Sequence, residues 1–446
     1  MKSKLENGEA LDIGSLSHGG GILSHAMHQG LANAGIDSRM AFANEIRTEL
    51  LDHASVHNDA WDENTIAYGA PMQELAFDER GLASVPRTEL FEIGMPCEAS
   101  SLSGLAKRGH KVPEAQEHVG HLVVSSLIIL AKANPAIVAI ECVPNYFFSA
   151  SAAILRTQLK ELGYNVQETV LNGKEWGALE NRDRWVMVAT THGIEFDLAQ
   201  LMPPAKVERK LGDVLDNVPH DDPRWGKMEY LKDKAVRDAE AGKGFKMQLV
   251  TKDAEHVGTI GKGYAKRRST EPFIISEEDP DLLRLLTPAE HARVKNVPEH
   301  LIEGLSDTIA HEVLGQSVIH SAFRGLGEHV GDSLNKVVGR AEKLPARPQV
   351  PSDVEHPDFT PEFTDLAKEV VATITLANTV KGQYTGAIVA IDKHLVIQDV
   401  GRNTGVVHNI NDLDQQPKLG AHLKVLYEKG RGKVAEKAKP QLSLSL

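Results

Sequence analysis

From Leu11 to about Thr190 short apolar runs alternate with amphipathic stretches, and that alternation restricts the fold more than any other feature of the chain. ALDIG at 10–14, SRMAFA at 38–43, LFEIGM at 90–95 and AIVAIEC at 136–142 read as strands, with further strands near 164–171 and 184–190. Between them, one helix follows a glycine-rich turn and runs to about Asn33, another spans Glu45 to His57, and another ends near Leu162. At 117–133 Val119, Leu122, Val123, Leu127 and Leu130 recur at helical spacing, which predicts an amphipathic helix. Each such unit buries its apolar face only against its neighbours. Repeated β–α units therefore imply a doubly wound α/β sheet with ligands at the carboxyl ends of its strands.

The length of 446 residues allows two or three domains. Residues 194–283 are polar and irregular, regular pattern returns from Arg284 to about Val338, and 344–363 is rich in proline. Two cysteines, Cys97 and Cys142, exclude a disulfide scaffold. The most apolar stretch, Leu122 to Leu130, holds two serines and is too short to span a bilayer. The first fifteen residues carry no apolar run that suits a signal peptide, so a cytoplasmic location with no membrane partner is expected. The net charge of −13 argues weakly against nucleic acid, yet phosphate contacts are local. Lys243 to Arg268 holds seven basic residues against two acidic ones, which suits either a DNA-facing surface or a solvated face.

Four short segments carry candidate chemistry. Leu16-Ser-His-Gly-Gly-Gly-Ile22 sits between a strand and a helix, where glycine lets the backbone approach a ligand at the positive end of a helix. Glu45 ends the second strand and suits hydrogen bonding to ribose hydroxyls. In GMPCEASSLSG at 94–104, Pro96 stiffens the approach to Cys97, whose thiolate would be a strong nucleophile; Lys107, Arg108 and Lys111 follow. Glu141 closes a strand that reads as fully buried, where a carboxylate needs a partner or a purpose, and Asn181-Arg182-Asp183-Arg184 opens another apolar strand. A thiol, a carboxylate and two arginines at the edges of one parallel sheet would make a reaction centre. Taken singly, each fragment also fits a packing role.

In this order the segments resemble the DNA cytosine-5 methyltransferases over about residues 10–335. PCEASSLSG resembles the family's Pro-Cys loop, IECV its Glu-containing strand end and LENRDRWVMVA its Gln-x-Arg-x-Arg strand. RLLTPAEHARVKNVP and VLGQSVIHSAF resemble its two C-terminal motifs. The resemblance implies a Rossmann-like doubly wound methyltransferase domain that uses S-adenosyl-L-methionine to methylate carbon 5 of cytosine in double-stranded DNA. The expected boundaries are 8–193 for the first part of the catalytic domain, 194–283 for an inserted target-recognition region and 284–340 for the returning C-terminal motifs.

It implies that the target base is flipped out of the duplex, that Cys97 attacks carbon 6, that Glu141 binds the ring at N3, and that Arg182 and Arg184 hold the base and the loop. Leu16, Gly20, Gly21, Glu45 and Ser317 are the expected cofactor residues. Ser101, Thr259, Lys262, Lys266, Arg267 and Arg268 are the expected DNA contacts. A monomer is expected, with a cognate restriction endonuclease as partner if the chain serves a restriction-modification system.

The sequence departs from the family pattern at seven places. His18 stands at the first glycine of the loop and Ala70 at an aspartate position; Glu98 and Glu180 stand where glutamine is usual, and Cys142 and Gln316 where asparagine is. Leu16 also replaces a usual phenylalanine. Two readings stay open beside DNA methylation: transfer RNA as substrate, and a DNA-binding regulator without catalysis. After a Pro-rich linker at 341–363, residues 364–446 resemble a KfrB-type module of the kind found on plasmid-encoded proteins, read as a small β-rich barrel with a basic tail suited to DNA or to solubility. No metal site is expected, because His53/His57 and His118/His121 lack a third ligand in sequence.

Overall fold

The computed structural model describes residues 1–96, 122–205, 207–240, 242, 247–268, 270–340, 373–377, 379, 382–391, 395–401, 404–428 and 431–436. The strands of the first sheet are β1 Leu11–Leu16, β2 Ser38–Asn44, β3 Ile66–Tyr68, β4 Leu90–Gly94, β5 Ile137–Cys142, β6 Tyr164–Asn172 and β7 Asp183–Thr191. They lie in the order β3-β2-β1-β4-β5-β7-β6. The first five run parallel, and β7 runs antiparallel to both β5 and β6. This is the doubly wound sheet expected from sequence, with β7 reversed. The reversal has a simple cause: β6 and β7 are joined by the short segment 173–182, which permits a hairpin but no crossover helix.

Helices cover both faces of this sheet, as near-continuous apolar strands require. The helices of the described residues are α1 Lys2–Asn7, α2 Ile22–Asn33, α3 Thr48–His57, α4 Met72–Phe77, α5 Glu79–Ser84, α6 Leu122–Ala133, α7 Ala150–Glu161, α8 Glu229–Glu240, α9 Pro288–Val294, α10 Asp307–Gln316 and α11 His320–Val337. Of these, α8 packs instead on a second sheet. Ile137 and Ala139 of β5 join the apolar cluster that holds α2, α10 and α11, while Val138 and Ile140 join the opposite cluster with α4, α6 and α7. Residues 117–121 of the expected helix at 117–133 lie outside the described residues. The second helix starts at Thr48 rather than Glu45, which leaves Glu45 in a turn.

β8 Gln248–Val250, β9 Pro272–Ile275 and β10 Leu283–Arg284 form a small second sheet. RLLTPAEHARV, where regular pattern was expected to return, builds the start of α9. Thr287 Oγ1 accepts from the Glu290 amide at 3.1 Å, Glu290 accepts from the Thr287 amide at 2.7 Å, and the same carboxylate takes both Arg284 Nη1 and Nη2, at 2.6 and 2.8 Å. Towards the C-terminus β11 Thr373–Leu376, β12 Gln383–Ile391, β13 Leu395–Asp399, β14 Thr404–Asn409, β15 His422–Glu428 and β16 Arg431–Glu436 form a separate sheet in the order β11-β14-β13-β12-β15-β16. A barrel was expected there. Among the described residues no ladder joins β11 to β16. Among the described residues no helix is long and apolar enough to cross a membrane.

Candidate active site

Antiparallel β7 brings its first residues beside the last residues of β5, where Glu141 and Cys142 pair in register with Val186 and Trp185. Arg184 Nε consequently reaches Glu141 Oε1 at 2.6 Å, and Arg184 Nη1 donates to the Asp183 carbonyl at 2.8 Å. Both side chains are buried. Burial raises the Glu141 carboxyl above the usual carboxylate range, and the charges of Arg184 and Lys295 oppose the rise. The Met95 amide donates to the Glu141 carbonyl at 2.9 Å, and Cys142 Sγ donates to the Met95 carbonyl at 3.5 Å. The backbone that leads through Pro96 to Cys97 is thus fastened to the strand end that carries Glu141. Cys97, Glu98 and Ser101 lie outside the described residues, as do Lys107, Arg108 and Lys111.

Arg182 belongs to a different group. Its guanidinium donates to the Gly315 carbonyl at 2.9 Å and the Ile260 carbonyl at 3.2 Å, and it lies 3.4 Å from Glu180 Oε1. Glu180 also accepts from the Ile260 amide at 2.7 Å and pairs with Lys295 Nζ at 2.9 Å. Asn181 and Thr259 join the same seam: Thr259 Oγ1 donates to the Asn181 carbonyl at 2.8 Å, and the Asn181 amide donates to the Val257 carbonyl at 2.8 Å. Three distant stretches, 179–182, 257–261 and 315–317, are held together here. The approach is close enough that a Cβ on Gly315 would stand 2.4 Å from the Gly261 backbone.

At the same carboxyl edge of the sheet, two strands from β5, the glycine-rich turn follows β1. Gly19 and Gly21 adopt φ of 56° and 75°, which side chains disfavour. Glu45, freed from the helix, accepts from the Gly19 amide at 2.8 Å through one oxygen and from the Arg47 amide at 3.1 Å through the other. α10 packs against the turn so tightly that a Cβ on Gly20 would meet a Val313 methyl at 2.5 Å. Ser317 follows that helix, with its hydroxyl on the Leu314 carbonyl at 2.8 Å. Leu16 is fully buried in the core beneath the turn. His18 is buried and pushed down to about 3, so it is neutral; it accepts from Trp61 Nε1 at 3.3 Å on Nε2 and faces Ser15 Oγ at 2.9 Å through Nδ1.

The profile of the C-5 cytosine-specific DNA methylases matches residues 16–331, most of the chain. The chain belongs to that family. It is a DNA cytosine methyltransferase, and residues 383–436 match the KfrB domain. It is 27% identical over 268 residues to the Type II methyltransferase M.NlaX of Neisseria lactamica, covering 58% of this chain and 81% of that protein. With M.HhaI of Haemophilus parahaemolyticus it shares 23% identity over 309 residues, covering 63% and 88% of the two chains. The crystal structure of S. pombe Dnmt2 methyltransferase superposes with a TM-score of 0.57 at 18% identity, covering 73% of this chain and 100% of that one, a likeness of fold.

In this methylase the unusual Glu180 is no extra charge on a DNA-facing surface: it is fully buried and paired. Unusual Cys142 anchors the Met95 carbonyl, and the Ala70 carbonyl accepts from Asn44 Nδ2 at 2.8 Å. Gln316 is exposed. Of the basic residues expected at DNA, Lys262, Lys266 and Arg267 are exposed and Arg268 is half-buried against Gly263. Lys252, counted in the same cluster, is neutralised by Glu277 at 2.8 Å. The sequence reading missed Lys295 altogether. Val294-Lys295-Asn296-Val297 holds no apolar run or spacing that marks the lysine as buried, so the sequence carried no signal for it.

Proposed function

We propose that this methylase acts on cytosine in double-stranded DNA by flipping the base out of the duplex and attacking it with Cys97. The Glu141–Arg184 pair carries the reading. It sets a carboxyl group of raised affinity for protons, with its guanidinium partner, at the strand end to which the backbone leading to Cys97 is fastened.

Cys97, as thiolate, forms a bond to carbon 6 of the ring; the 5,6 double-bond pair shifts to carbon 4–carbon 5, and the carbon 4–N3 pair takes a proton at N3. Glu141 in its acid form donates to N3, while its other oxygen accepts from the exocyclic amine. Carbon 5 becomes nucleophilic and takes a methyl group; loss of the carbon-5 proton then restores the double bond and expels the thiolate. S-adenosyl-L-methionine, when bound, supplies that methyl group. Gly20, Gly21, Glu45 and Ser317 would hold it, with Leu16, expected to line the pocket, packed instead in the core beneath the turn. The fit rests on the positive-φ turn and on Glu45, whose carboxylate oxygens each accept one backbone amide and keep lone pairs for hydroxyl groups.

Arg184 orients Glu141, and Arg182 is a positioning residue that ties its strand to the recognition region at 194–283. Thr259, Lys262, Lys266, Arg267 and Arg268 line up on that region for contact with DNA, with Ser101 added from the Cys97 loop. Expression in a host free of DNA methylation, followed by bisulfite sequencing, tests the reading. Conversion-resistant cytosines confined to one short sequence motif are expected. A fully converted genome, or resistance in RNA alone, would contradict it.

A further inference from the structure

Behind the glycine-rich turn, three side chains from separate segments converge on one point. His25 lies on α2, one turn beyond Gly21, and is fully buried. Asp59 follows Asn58, whose amide nitrogen holds the Gly21 carbonyl at 2.9 Å, and is exposed. His300 sits half-buried in the 3₁₀ turn Glu299–Ile302. His25 Nε2 lies 3.4 Å and His300 Nε2 3.9 Å from Asp59 Oδ2, and the three ligating atoms are all within 4.8 Å of one another. Both Nε2 atoms are buried and have no hydrogen-bond partner.

Two further features fit a cation at that point. Donor atoms placed tetrahedrally at the usual zinc distance stand about 3.4 Å apart, close to the 3.4 and 3.9 Å that separate Asp59 Oδ2 from the two imidazole nitrogens. His25 Nδ1 is engaged by His320 Nε2 at 2.9 Å, and His320 is itself buried. With the shared proton on His25 Nδ1, the lone pair of its Nε2 points into the cluster, as in imidazoles held by an outer partner toward a metal. Without an ion, that tautomer sets a lone pair against a carboxylate.

We propose that His25, Asp59 and His300 bind one divalent ion of the zinc class, with water completing the shell on the exposed side of Asp59. The ion would cross-link α2, the turn after α3 and the 299–302 turn immediately behind the glycine-rich loop. Two imidazoles and one carboxylate favour zinc and its borderline neighbours over magnesium or calcium.

The test uses the full chain stripped with chelator and titrated with Co²⁺ alone, read by its visible absorption. One equivalent should bind in the wild type, Zn²⁺ should displace it, and Zn²⁺ should raise the unfolding temperature. His300→Ala and Asp59→Asn change ligands that reach the surface, so the metal-free fold is expected to persist, checked by circular dichroism; His300→Gln replaces His300→Ala if it does not. Each substitution should weaken Co²⁺ binding tenfold or more. Absence of binding in the wild type overturns the proposal, and so does unchanged affinity in either variant.

Discussion

Lys295 Nζ lies 2.9 Å from Glu180 Oε2, and neither side chain has measurable exposure. Around this ion pair the methylase joins its Arg182 strand, its recognition region and the segment after α10. A buried pair is costly to form but costlier to break, since the survivor is an uncompensated charge.

Lys295→Met should therefore lower unfolding free energy by about 3–5 kcal/mol in urea titrations. Adding Glu180→Gln should recover part of that loss, because the amide still accepts from the Ile260 amide and carries no charge. A single variant within about 0.5 kcal/mol of wild type, the usual range for substitutions away from such features, would show that the pair does not hold the seam.

Glu141 and Arg184 set the pH dependence. Burial raises the Glu141 carboxyl and Arg184 draws it back down, so removing the guanidinium raises it further. The acid form donates to N3, so the rate falls as pH rises through the Glu141 value. In Arg184→Met the rate should drop about 100-fold or more. Its alkaline limb should move to higher pH than in wild type, measured as methyl transfer to duplex DNA across pH. A limb that stays in place would separate Glu141 from the proton.

Glu92 offers a test on stability. It sits mid-strand in β4 opposite Ser15, almost fully buried, and neither carboxyl oxygen has a hydrogen-bond partner. Burial pushes it up to about 8 from an ordinary value of 4.5. Below 4.5 both folded and unfolded chains hold the proton and its contribution is fully present. Between 4.5 and 8 only the unfolded chain ionises, so stability falls by about 1.4 kcal/mol per pH unit. Glu92→Gln removes that slope, and its advantage over wild type should grow from pH 5 to pH 8 in urea titrations. A difference independent of pH would mean that Glu92 is ionised in the folded protein.

The alternation of strands and helices, the glycine-rich turn and the placement of Glu141 at a buried strand end were legible in the sequence because each is a local pattern. The direction of β7 was not, since an apolar run such as Trp185 to Ala189 reads the same in a parallel or antiparallel sheet. Yet that direction is what carries Arg184 to Glu141. The partner of Glu180 was hidden for another reason: Lys295 is far away in sequence, and only the fold shows that an unusual glutamate and an isolated lysine answer each other. His25, Asp59 and His300 are likewise scattered, and no short spacing marks them.

The central claim is the transient bond between Cys97 and carbon 6 of a flipped cytosine. It is tested most directly by incubating the protein and S-adenosyl-L-methionine with a duplex carrying 5-fluorocytosine at the target site. Fluorine replaces the carbon-5 proton and cannot be lost as one, so the thiolate stays bonded. The account predicts a complex that survives denaturing electrophoresis with wild type and none with Cys97→Ser, which still binds the duplex. An adduct that persists in Cys97→Ser, or methylation by wild type with no adduct, would contradict it.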